Sequence, residues 1–107
     1  MAVLIGDPKT ADPLVYRLKF PPNYKVGPHT HPAFETVTVL SGNFGNGMGD
    51  KFDPSKGEVL PTGSIFALPG QHPHYVWTIA DETLIQVQTT GPLAINFLDP
   101  ADDPRKK

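Results

Sequence analysis

Apolar and polar positions alternate along much of this chain in the manner of half-buried strands. In Leu14-Val15-Tyr16-Arg17-Leu18-Lys19-Phe20 the charges of Arg17 and Lys19 share one face, Tyr16 is displaced from a perfect pattern, and the run stops at Pro21-Pro22-Asn23. Thr36 to Leu40 alternates threonine with valine and stops at Ser41-Gly42-Asn43. Ser64 to Leu68, Tyr75 to Ile79 and Thr83 to Thr90 repeat the theme, with Asp81-Glu82 as the turn between the last two, and Ala94 to Leu98 is a short final candidate. In the Thr83 to Thr90 run, Gln86 and Gln88 form a polar face that is expected to point outward. No window holds a capped apolar pattern at helical spacing. The pattern therefore predicts an all-β, antiparallel protein of about seven to nine strands, a barrel or sandwich.

Composition reinforces this picture. Thirteen prolines and ten glycines are spread through all 107 residues and interrupt the chain before a helix completes several turns. The length fits a single domain, with a barrel core at about residues 12–98 and a polar tail at 99–107. With no cysteine, disulfides, thiolate metal sites and cysteine nucleophiles are excluded, and a reducing cytoplasm is the expected location. The net charge is -2, and the basic cluster Arg105-Lys106-Lys107 sits beside Asp99, Asp102 and Asp103, so nucleic acid is not an expected partner. The apolar run Ala2 to Ile5 is too short for a signal-peptide core, and no segment has the length of a membrane span.

Other chemistries find little support. Gly42 to Gly49 lacks the lysine and helix of a phosphate-binding loop and reads as turns and bulges. Asp50, Asp53 and Glu58 read as a solvated loop, and Ser41, Ser55 and Ser64 stand in no nucleophile-elbow sequence. Phe34, Tyr75 and Trp77 read as packing residues rather than substrate platforms.

All four histidines fall in two short segments. In Gly27-Pro28-His29-Thr30-His31-Pro32-Ala33-Phe34-Glu35, the residues His29, His31 and Glu35 share the parity of one strand face. In Pro69-Gly70-Gln71-His72-Pro73-His74-Tyr75, His72 and His74 share another. If the two segments meet, three imidazole nitrogens and a carboxylate can surround one divalent transition metal, with iron, manganese, nickel, cobalt, copper and zinc all candidates. Such a site is rarely closed, which favours exchangeable ligands over a structural ion. About one equivalent is expected at neutral pH, weakening as the imidazoles protonate near pH 6.5 and below.

These segments resemble the two motifs of the cupin superfamily. His29, His31, Glu35 and Gly42 match the first, while Asn23 stands where its leading glycine belongs. Gly63, Pro69 and His74 match the second, with Gln71 in place of its inner glycine and Thr78 in place of its closing asparagine. The match spans residues 27–78, and Val37 to Asp50 together with Ala101 to Lys107 is similar to small single-domain bacterial cupins of the conserved-barrel type. The resemblance implies a jelly-roll-like barrel, frequently a homodimer, with His29, His31, Glu35 and His74 as metal ligands. His72 has no counterpart in the motif and stands as a substitute ligand, an acid or base, or a rim residue. The function expected is a metal-dependent enzyme acting on a small oxygenated molecule. A dioxygenase ranks first and a lyase or isomerase close behind, with a non-catalytic small-ligand sensor as the alternative.

Overall fold

The computed structural model describes residues 1–104; the predicted basic end, Arg105 to Lys107, lies outside the described residues. Among the described residues the chain forms ten strands: β1 (Ala2–Ile5), β2 (Pro13–Phe20), β3 (Lys25–Thr30), β4 (Glu35–Ser41), β5 (Asn43–Met48), β6 (Glu58–Pro61), β7 (Ile65–Leu68), β8 (His74–Thr78), β9 (Thr83–Thr90) and β10 (Asn96–Phe97). They build two five-stranded antiparallel sheets, ordered β1-β2-β9-β4-β7 and β10-β3-β8-β5-β6. The all-β, antiparallel architecture expected from the alternation is present, with ten strands among the described residues rather than seven to nine.

Inward positions follow the alternation. Leu14 and Tyr16 on β2, Val37 and Val39 on β4, and Ile85 and Val87 on β9 are buried between the sheets. Tyr16 is therefore in register with its neighbours on β2 and not displaced from them. Gln88 is exposed as expected, while Gln86 accepts a hydrogen bond from the Arg17 Nε on the neighbouring strand at 3.0 Å.

Three strands escaped the pattern. β1 is a free sheet edge that pairs only with β2, and β6 pairs only with β5. The larger correction concerns Gly42 to Gly49, expected as turns and bulges. Most of it is β5, an interior strand between β8 and β6. The physical reason is close packing. Gly45 and Gly47 lie opposite Trp77 and Tyr75, and a side chain at either glycine would run into the facing aromatic ring. The rings thus supply the apolar surface that the glycines lack.

A loop then folds over the outer face of that sheet. Phe52 packs against Tyr75 and Trp77, with ring centroids 5.3 and 6.2 Å away, and the Lys25 ammonium sits over Phe52. Asp53 caps a short 3-10 turn over Pro54–Lys56, and its carbonyl accepts from the Tyr75 hydroxyl. The expected polar tail is also ordered as far as described. Asp99 caps a 3-10 turn over Pro100–Asp102, and Asp103 is buried. No helix among the described residues is long and apolar enough to cross a membrane.

Candidate metal centre

The expected parity argument for the first histidine segment does not describe how its side chains converge. β3 ends at Thr30 and β4 begins at Glu35, and the two strands belong to different sheets. Two local devices do the work instead. First, β3 carries a register shift: Val26 faces Val76, yet His29 faces His74, so three steps on β3 match two on β8. Pro28 has no N–H to give the ladder, and the extra residue rotates His29 onto the same inner face as Val26. Second, the chain crosses between sheets over residues 31–34, where the His31 carbonyl accepts from the Gln71 amide at 2.8 Å. That bond joins the two histidine segments directly.

The result is a compact cluster. One donor atom from each of His29, His31 and His74 lies within 4.8 Å of the others. Ring centroids are 4.3 Å apart for His29 and His74, 5.0 Å for His29 and His31, and 5.4 Å for His31 and His74. Each Nδ1 faces a backbone carbonyl: Gly27 at 2.8 Å from His29, Ala94 at 2.7 Å from His31, and His72 at 3.3 Å from His74. A carbonyl only accepts, so each Nδ1 carries a proton, and in a neutral ring the lone pair is then on Nε2. This is the outer support that metal-binding imidazoles use.

Glu35 stands at the edge of the cluster. One carboxylate oxygen is 3.7 Å from the His31 Nε2, and the other accepts from the Tyr16 hydroxyl at 3.3 Å. Burial pushes the Glu35 carboxyl up, against the opposing influence of His31 and the Tyr16 hydrogen bond. Burial and the nearby Glu35 push the Tyr16 phenol well above its ordinary value. Burial lowers His29 to about 3, with His74 adding to the effect, and it lowers His74 to about 4. Both rings are therefore neutral well below the pH range expected of ordinary imidazoles. Oriented imidazole nitrogens, with His29 and His74 held neutral, beside a buried carboxylate suit a divalent transition metal, which would also relieve the mutual crowding of these groups.

His72 does not join them. Gln71 adopts a left-handed conformation (φ 62) and β8 begins only at His74, so His72 lies outside the strand and the face expected to be shared with His74 is not formed. His72 is exposed, does not line the cavity between the sheets, and contributes its carbonyl rather than its ring. Tyr16 is the residue the sequence reading passed over. Its place in the inward register with Leu14 and Leu18 was the available signal.

The departures from the motif glycines also resolve. Gly42 and Gly63 have φ of 82 and 91. Asn23 and Gln71, which replace glycine, are the two non-glycine residues of positive φ among those described, at 54 and 62. The backbone shape is kept where the residue has changed. Thr78, in place of the asparagine, donates to the Pro21 carbonyl at 2.6 Å and accepts from the Tyr24 amide at 3.0 Å, so it holds the turn that carries Asn23.

No family model and no curated protein sequence matches the chain. Solved structures do. The chain is similar to the DMSP lyase DddQ from Ruegeria pomeroyi DSS-3, with a TM-score of 0.72 and 23% identity over 88% of this chain and 47% of that one. It is similar to the polyketide cyclase RemF from Streptomyces resistomycificus, with a TM-score of 0.72 and 22% identity over 97% of this chain and 73% of that one. A cupin 2 conserved barrel domain protein from Leptotrichia buccalis gives a TM-score of 0.68 and 20% identity over 83% of this chain and 39% of that one. The chain spans about half the length of DddQ. Fold and neighbours agree on the class: this is a cupin-type, double-stranded β-helix barrel.

Proposed function

We propose that the protein holds one divalent transition metal through His29, His31, His74 and Glu35 and is an enzyme acting on a small oxygenated molecule. The observation that carries this reading is the set of three imidazole donor atoms within 4.8 Å of one another, each ring's Nδ1 facing a backbone carbonyl, beside a cavity of about 140 Å³. When bound, the metal supplies Lewis acidity or redox chemistry. The chain's own residues do the rest. The three imidazoles fix the position of the ion, and Glu35 offsets part of its charge. Tyr16 holds a proton on its hydroxyl, aimed at the Glu35 carboxylate and bordering the cavity, where proton transfer with a bound molecule needs no solvent. The apolar walls exclude water from that step.

Two chemistries fit, and Tyr16 separates them. An oxygen-dependent reaction needs only the metal and its open positions. A lyase or isomerase also needs a group that gives or takes a proton, and the Tyr16–Glu35 pair is such a group. The Tyr16–Glu35 pair is the reason we favour this second reading over the dioxygenase. Oxygen uptake and product formation by iron-, manganese- and zinc-loaded protein against a library of enediols, catechols and small carbonyl compounds will test it. Turnover without oxygen is expected. Turnover strictly coupled to oxygen would restore the dioxygenase, and no turnover with any metal would favour a ligand-binding module. A homodimer is a further part of the proposal. The free edge strand β1 exposes Val3, Leu4 and Ile5, and light scattering will read the mass.

A further inference from the structure

The cavity that ends at the histidines is chemically lopsided. Its polar atoms belong to the three imidazoles, Glu35 and the Tyr16 hydroxyl, and they sit together. The remaining wall is apolar and comes from both sheets, with Leu18, Val37, Phe44, Val76 and Ile85 among its side chains. An apolar space of this size, about 140 Å³, takes a molecule with the bulk of one benzene ring. A ligand hydroxylated along its length would bury donors and acceptors against hydrocarbon, at roughly 1–3 kcal/mol for each group left unpaired.

Two further hollows adjoin this cavity. One, of about 280 Å³, shares Tyr16, Leu18 and His31 with it and continues to Met1, Leu93 and Ala94. The other, of about 380 Å³, shares Phe20 and Val26 with it and continues to Tyr24, Lys25 and Phe97. Ile95 is the one residue that lines all three spaces. Its backbone is tied on both sides. The carbonyl of Ala94, just before it, accepts from His31, and Asn96, just after it, pairs with Thr30 on β3. Ile95 is thus a partition on a held stretch of backbone beside a histidine of the cluster.

We infer that Ile95 sets the upper size of the substrate, and that the substrate is a compact molecule with one oxygen-bearing end and an apolar body of about six to eight non-hydrogen atoms. The oxygen-bearing end faces the imidazoles and the apolar body lies between the sheets. This inference rests on the reading of the histidine end as the reactive end. Shortening Ile95 joins the central cavity to its neighbours and admits longer ligands without altering the polar end.

Phenol and 2-naphthol test this directly, because they differ in length and share the hydroxyl. Dissociation constants are measured by calorimetry or NMR titration on the full chain, both metal-free and zinc-loaded, with metal content determined on the same samples. The native protein is expected to bind phenol at least tenfold tighter than 2-naphthol. Ile95→Ala is expected to remove that preference while changing phenol affinity less than about threefold, and Ile95→Val is expected to fall between. Ile95→Val also keeps the test alive if the alanine variant does not fold. Equal binding of the two ligands by the native protein, binding of neither, or an unchanged ratio in folded variants would each overturn the inference. One equivalent of zinc without size selection defeats this inference and leaves the metal reading standing. Size selection without metal binding defeats the metal reading and keeps the partition.

Discussion

The two faces of β8 place opposite kinds of chemistry on five consecutive residues. His74 and Val76 look into the barrel, and Tyr75 and Trp77 look out. The outward Tyr75 is at least as buried as the inward His74, at 1% against 3% exposure. Outside, the loop carrying Phe52 and Asp53 closes over the rings, the glycines of β5 let them lie flat, and the Tyr75 hydroxyl has its acceptor. Inside, the space is left partly unfilled and each imidazole keeps a nitrogen unused. The outer face of β8 serves packing alone, whereas its inner face combines the core residue Val76 with His74 of the histidine cluster.

That contrast can be broken from either side. The largest effect is expected from His29→Ala combined with His31→Ala. Metal content should fall from about one equivalent to less than about 0.1, while circular dichroism of the metal-free protein keeps its β signature. Unchanged metal content by elemental analysis would sink the assignment. On the outer face, Tyr75→Ala should cost roughly 3–5 kcal/mol in urea unfolding, a large share of a small domain's stability. The folded fraction should still take up metal. Tyr75→Phe, which loses only the bond to Asp53, should cost about 1 kcal/mol.

Acid should separate the faces as well. With His29 and His74 lowered to about 3 and about 4 in the folded protein, the unfolded chain takes up their protons first as pH falls below about 6.5. Metal-free stability is therefore fully present above that value and is lost progressively between about 6.5 and 3, by up to about 1.4 kcal/mol per pH unit for each ring. Glu35, whose carboxyl is raised by burial, works in the opposite sense, above the ordinary carboxylate range. Denaturation of chelator-treated protein at pH 7, 6 and 5 measures the slope; a flat profile would show that the rings are not held neutral. The smallest effect belongs to the turns. Gln71→Gly should stabilise the protein by about 0.5 kcal/mol, because relief of the left-handed strain slightly exceeds the entropy that glycine adds to the unfolded chain. Asn23→Gly should change little, since asparagine tolerates that conformation. Thermal melts of the two variants, compared with the native chain, read the difference.

Strands with one wet and one dry face were legible in the sequence. β2, β4, β7 and β9 each announce themselves by alternation and a terminating proline or glycine, and β8 by the Asp81-Glu82 turn that follows it. β5 does not, since Gly45 and Gly47 have no side chain to alternate and their apolar surface is borrowed from Trp77 and Tyr75. Spacing in the two motifs named His29, His31, Glu35 and His74, whose side chains gather at one end of the cavity. The strand-parity reasoning behind them did not survive: a bulge at Gly27-Pro28 and a change of sheet after Thr30 are tertiary events with no local period. His72 shows the same limit from the other side, because it lies before β8 begins, outside the strand on which counting placed it.

The three imidazoles are steadied by main-chain oxygens, those of Gly27, Ala94 and His72, rather than by other side chains. A carbonyl survives almost any substitution at its own position, so the support of the rings is largely invisible to point mutation. The residues that shape the cavity can then be changed in size and polarity without removing what steadies the rings. A barrel organised in this way keeps the setting of its reactive groups apart from the shaping of its space.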